Sequence, residues 1–122
     1  MSPTPFAVES EALEGGVRAF TVRGELDMHT APELGRHLDE ALASPDASIL
    51  LDLSECEFID STGIALIVRS WQQLNPNDGE GGGRLALCCI NHQVRRLLDV
   101  TGIGESIPMH EARDAALAEL RD

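Results

Sequence analysis

The chain has 122 residues, enough for one domain with its own core. Apolar residues make up 43% and charged residues 25%, the usual balance of a soluble globular protein; with three Phe, one Trp and no Tyr the core has to be aliphatic. Nine basic residues against 21 acidic ones leave a net charge of −12, which argues against nucleic-acid binding and against attraction to an anionic membrane, and would steer a basic protein partner toward the chain.

Residues 1–5, with two prolines, read as a loose tail. Phe6–Leu13 reads as a short strand and Gly15-Gly16 as a turn. Val17–Arg23 alternates, with Phe20 and Val22 on one face, and predicts a second strand followed by Gly24-Glu25-Leu26-Asp27. Thr30 is an N-cap candidate, with Pro32 in the first turn and Glu33 three residues on. Ala31, Leu34, Leu38, Ala41 and Leu42 then recur at helical spacing until Ser44-Pro45-Asp46 stops them. Ile49–Leu53 predicts a buried strand. A second helix begins after Asp60-Ser61-Thr62-Gly63, with Ile64, Ile67, Val68, Trp71 and Leu74 as its stripe. Residues 75–83 hold a proline and four glycines and read as a flexible connection. Leu85–Ile90 is a further buried strand, and Asn91 caps a third helix marked by Val94, Leu97 and Leu98. Thr101-Gly102-Ile103-Gly104 ends it, Ser106–Pro108 reads as a short last strand, and Glu111–Leu120 as a fourth helix with Ala112, Ala115, Ala116 and Leu120 on one side. Strands alternating with helices predict βαβ units and a mainly parallel sheet.

The chemistry-bearing residues form no enzyme-like constellation. Gly79–Arg84 is glycine-rich but lacks the Lys-Ser/Thr ending of a phosphate loop and lies before a strand. His29, His37, His92 and His110 have no zinc-ligand spacing, and His37 falls on the outer face of its helix, which predicts a solvated side chain. Cys56, Cys88 and Cys89 are an odd number without paired spacing, so they read as reduced, with Cys88 and Cys89 as small apolar residues in a strand. Ser61 stands between a strand and a helix, but its surroundings are not G-x-S-x-G and no general base is assigned to it. Asp27 follows a strand and Asp60 precedes a helix, so both belong to the strand-end edge where open α/β sheets bind ligands. The pair has the donors for Mg²⁺ with phosphate, while turn and cap roles are the favoured explanation. Asp60, Ser61 and Thr62 are all residue types favoured at helix starts. There is no signal peptide and no apolar run long enough to span a bilayer, which predicts a cytoplasmic protein.

Three segments in order resemble the STAS family of anti-sigma-factor antagonists: Gly24-Glu25-Leu26-Asp27 followed by Thr30-Ala31; Leu51-Asp52-Leu53 leading to Phe58-Ile59-Asp60-Ser61-Thr62-Gly63-Ile64; and Leu85-Ala86-Leu87 followed by Val94–Leu98 and Thr101-Gly102-Ile103. The resemblance runs from about Val17 to Leu120. It implies a single STAS domain over residues 1–122, a mixed, mostly parallel sheet of four to five strands flanked by four helices, and a binding protein rather than an enzyme, with no cofactor and no metal. It implies phosphorylation of Ser61, with Thr62 as the second-choice acceptor, and a partner surface of Asp27, Asp60, Ser61, Thr62 and Gly63. The partner it implies is an anti-sigma factor that is also a serine kinase of the histidine-kinase-like ATPase type, opposed by a PP2C-type phosphatase, with no membrane insertion. Within the same fold, an accessory subunit of an ABC lipid transporter and a stressosome-like scaffold are the alternatives. The glycine-rich stretch at 75–83 is longer than usual for such a domain.

Overall fold

A computed structural model describes residues 4–44, 46–75 and 83–121. Its elements are β1 (Ala7–Ala12), β2 (Val17–Leu26), α1 (Ala31–Leu42), β3 (Ser48–Ile59), α2 (Ser61–Leu74), β4 (Arg84–Cys88), α3 (His92–Thr101), β5 (Met109–His110) and α4 (Arg113–Arg121), with single 3-10 turns at Glu14–Gly16 and Ile103–Glu105. The five strands lie in the order β1-β2-β3-β4-β5; β1 is antiparallel to β2 and the remaining pairs are parallel. This is the mixed, mostly parallel sheet expected.

The layering follows from the connections. Parallel crossovers are right-handed, so a sheet that grows in one direction stacks its crossover helices on one face. Accordingly, α1, α2 and α3 share a core with the inward residues of β2–β4, among them Phe20, Val22, Leu51, Leu53 and Leu87. Residues of opposite parity, Val17, Ala19, Leu50, Ala86 and Cys88, pack on the other face against Ala116 and Leu120 of α4. Both faces of the central strands are therefore dry, as their near-continuous aliphatic runs require.

Several elements differ from their sequence reading. β2 continues through Gly24-Glu25-Leu26, and β3 runs to Ile59 rather than Leu53. The register between them shifts twice, after Thr21 and after Gly24, and each shift places an extra residue in β3. Ser54-Glu55 and Glu57-Phe58 are exposed in pairs there, so the alternation that marks a strand is lost while pairing continues. The last strand is Met109–His110, not Ser106–Pro108. The fourth helix starts at Arg113; Ala116 and Leu120 are buried, but Ala112 and Ala115 face solvent. In α2 the buried side is Gly63, Leu66, Ile67, Ser70 and Leu74, while Ile64, Val68 and Trp71 pack at its margin. In α3, Val94 and Leu98 are buried and Leu97 is exposed. His37 is not solvated: it is half-buried, its ring tilted against Phe20 at 6.1 Å between centroids. The tail is not loose from Thr4 onward. Thr4 donates a 2.7 Å hydrogen bond to Glu57, and its carbonyl lies so near Gly24 that a Cβ there would sit 2.9 Å away. Residues 1–3 and most of the glycine-rich 75–83 stretch lie outside the described residues.

Arg113 ties α4 to the sheet. Arg113 reaches Asp52 of β3 at 3.1 Å, Glu11 of β1 at 3.2 Å and the Thr21 hydroxyl of β2 at 3.4 Å. Asp52 is only 7% exposed, so its charge depends on that guanidinium. Arg113→Ala is expected to lower the unfolding free energy by about 1–3 kcal/mol in urea denaturation. Asp52→Ala combined with Arg113→Ala is expected to cost less than the sum of the two single changes, since the second removal no longer strands a charge.

Candidate functional site

The site lies where β2 and β3 end and α1 and α2 begin. β2 and β3 are parallel, so their carboxyl ends emerge side by side, with Leu26 opposite Ile59. A hydrogen bond of 3.1 Å from the Asp60 N–H to the Leu26 carbonyl joins the two chain exits. Helix α2 approaches this junction closely because Gly63 carries no side chain. A Cβ there would lie 2.8 Å from Leu26 Cγ and 2.9 Å from Ile59 Cγ1, closer than real carbon contacts allow.

Asp60 is the N-cap of α2. Its Oδ1 accepts from the N–H groups of Thr62 (2.9 Å) and Gly63 (3.1 Å). Ser61 is the first residue of the helix and is exposed, as is Thr62. Among the described residues, no hydrogen bond engages the Ser61 hydroxyl.

Asp27 holds the other exit. Its Oδ1 accepts from the N–H groups of His29 (2.9 Å) and Thr30 (3.1 Å), an Asx turn that carries β2 into α1. Partial desolvation pushes the Asp27 carboxyl up. The N–H groups of His29 and Thr30, the Thr30 hydroxyl and the nearby His29 charge outweigh it, so the group lies below its ordinary range. Thr30 does not cap α1 in the expected way. Its backbone is already helical and its hydroxyl turns back, accepting from the Asp27 N–H at 2.9 Å and donating to the Glu25 carbonyl at 2.7 Å.

The structure thus brings Asp27, Asp60, Ser61 and Thr62 to one edge, with Gly63 buried beneath them as a spacer that presents no side chain. Both carboxylates are occupied by backbone donors in their own turns. Each Oδ1 therefore serves the turn or cap role open to it in the sequence. Two of the α2 N–H groups are likewise taken by Asp60.

Sequence reasoning missed the groove beside this edge. A cleft of about 540 Å³ runs between α1 and α2, with Met28 at its mouth, Thr62 on one wall and Arg36 and Arg69 along it. Met28 is 65% exposed, a large apolar side chain directly after Asp27. An apolar residue in a turn otherwise made of Asp, His and Thr was the available signal. The two arginines give local positive charge to a strongly acidic protein.

The close contact at Gly63 can be tested against Gly35, which faces Leu66 across the α1–α2 interface with room for a Cβ at 3.8 Å. Gly63→Ala is expected to lower stability by about 1–3 kcal/mol, whereas Gly35→Ala is expected to be neutral or stabilising by up to about 1 kcal/mol. Thermal melts of the two variants decide it.

The chain is similar to known proteins along most of its length. The family model described as STAS domain matches residues 12–116. The chain is 34% identical over 106 residues to an anti-sigma F factor antagonist of Paenibacillus polymyxa, covering 86% of this chain and 87% of that one. It is 31% identical over 93 residues to an anti-sigma-B factor antagonist of Staphylococcus aureus (strain NCTC 8325 / PS 47), covering 76% and 82%. Among solved structures, an anti-sigma factor antagonist from Mycobacterium paratuberculosis superimposes with a TM-score of 0.83 at 28% identity, over 97% of this chain and 96% of that one.

Proposed function

The chain belongs to the STAS domain family, and from that premise we propose that it is an anti-sigma factor antagonist switched by phosphorylation of Ser61. The unphosphorylated form binds an anti-sigma factor that is also a serine kinase of the histidine-kinase-like ATPase type, and so frees the sigma factor. Phosphorylation ends the binding, and a PP2C-type phosphatase restores it. The relatives at 30% identity or more carry antagonist names, which favours this reading over the transporter-subunit and scaffold alternatives.

The observation that carries the proposal is the placement of Ser61. Its hydroxyl is exposed at the first position of α2, on a frame whose own hydrogen bonds do not use it. A phosphate adds about −1.5 to −2 charge at pH 7. At a helix N-terminus that charge leaves the fold intact, since the dipole favours it. In a partner interface the same charge is desolvated next to Asp60 and Asp27, with like-charge repulsion on both sides. Asp27, Asp60, Ser61 and Thr62 supply the polar centre of this surface; Met28 and the α1–α2 groove supply apolar area beside it.

Three variants test the switch. Ser61→Asp is expected to weaken binding to the anti-sigma factor by about 2–5 kcal/mol while its melting temperature stays near that of the wild type. Ser61→Ala is expected to bind but to take up no phosphate from the kinase and ATP, and Thr62→Ala to be phosphorylated as the wild type is. Isothermal titration and a radiolabel transfer assay read these out. Undiminished binding by Ser61→Asp, or phosphorylation of Ser61→Ala, overturns the assignment.

A further inference from the structure

A second group of reactive side chains lies under α4, away from the switch edge. β3 presents Asp52 and β4 presents Cys88 to the face that α4 covers, and the two residues are register partners, so their side chains stand next to each other. Cys89 follows where β4 ends. In a regular strand its side chain would point to the opposite face. Instead its backbone is left-handed, with φ of 63°, a conformation non-glycine residues rarely adopt. That twist returns its Sγ to the Cys88 side, at 2.9 Å from Cys88 Sγ. The two sulfurs and an Asp52 carboxylate oxygen all lie within 4.8 Å of one another.

We propose that Asp52, Cys88 and Cys89 form a binding site for one thiophilic divalent cation of the Zn²⁺ or Cd²⁺ class. Two thiolate sulfurs and a carboxylate oxygen are a donor set that suits such ions, and it leaves a fourth position for water or an added ligand. Zn–S bonds of about 2.3 Å and Zn–O bonds of about 2.0–2.2 Å place tetrahedral donors roughly 3.3–3.8 Å apart, which these side chains reach by small rotations. The charges favour a cation as well: ionised, the three donors and Glu11 exceed the single positive charge of Arg113 by three, and one divalent ion cancels two of these. Arg113 already holds Asp52 at 3.1 Å and would orient that carboxylate from behind, the part outer partners play in metal sites. Access is from the end of β4, where Cys89 is half-buried rather than enclosed. Cys56, the third cysteine, is packed in the core on the opposite face and cannot contribute.

The test uses the full-length chain, reduced and stripped of metal, titrated with Cd²⁺ while the sulfur-to-cadmium charge-transfer absorbance is followed. The band is expected to saturate at one equivalent. Cys89→Ala should weaken binding by about tenfold or more, and Asp52→Asn should weaken it less, whereas Cys56→Ala should leave the band unchanged. Cys89 is outside the strand, so its variant is expected to keep the wild-type circular dichroism. As an independent readout, bound Cd²⁺ or Zn²⁺ should protect Cys88 and Cys89 of the wild type from alkylation, mapped by peptide mass. No band at one equivalent, a band that survives Cys89→Ala, or alkylation indifferent to metal overturns the site. So does formation of a Cys88–Cys89 disulfide as the only change detected.

Discussion

The close approach of α2 to the ends of β2 and β3 is the constraint on which the rest of the site depends. Gly63 permits it, because any Cβ would collide with Leu26 and Ile59. The Asp60 N–H to Leu26 carbonyl bond fixes it, and the Asp60 side chain then starts the helix by accepting from Thr62 and Gly63. With those contacts in place, Ser61 has one position open to it, the first turn of α2 facing solvent. The residues around the Ser61 hydroxyl are thus held by packing and backbone hydrogen bonds, and the hydroxyl itself is left out of the frame.

In the proposed switch, this division of labour would let one charge alter binding without altering the fold. Asp27 and Asp60 each accept through Oδ1 from N–H groups of their own turns, so each carboxylate is a fixed feature of the edge. The helix dipole would tolerate the proposed anion at Ser61, but a partner that buried the edge would have to desolvate it beside two others. Stability resides in the two cores on either side of the sheet and in the Arg113–Asp52 pair that clamps α4 to it, away from the proposed switch.

Much of the fold was legible in the sequence because its central strands are uninterrupted aliphatic runs and α2 and α3 carry side-chain caps. Asn91 caps α3 through Val94 as expected, and Asp60 caps α2. The second half of β3 was not legible. Its two register shifts expose Ser54-Glu55 and Glu57-Phe58 and leave only Leu53, Cys56 and Ile59 buried, a spacing of three that matches neither strand nor helix. Thr30 has the residue type of a cap, yet tertiary geometry turned its hydroxyl back to Glu25 and Asp27. Polar site residues could be found because chain order puts Asp27 and Ser61 at neighbouring strand ends. The α1–α2 groove could not, since it is made by two helix faces whose packing no local pattern encodes. The sulfur pair was also hidden, for the left-handed turn at Cys89 occurs at a residue type that gives no warning of it.

The most direct test of the switch is a reconstitution of the sigma factor, its anti-sigma kinase and this protein, with free sigma factor measured before and after ATP is added. The account predicts that the unphosphorylated protein releases sigma factor, that ATP reverses the release, and that Ser61→Ala keeps sigma factor free in the presence of ATP. Reversal by ATP that persists in Ser61→Ala, or no release at all, would contradict it.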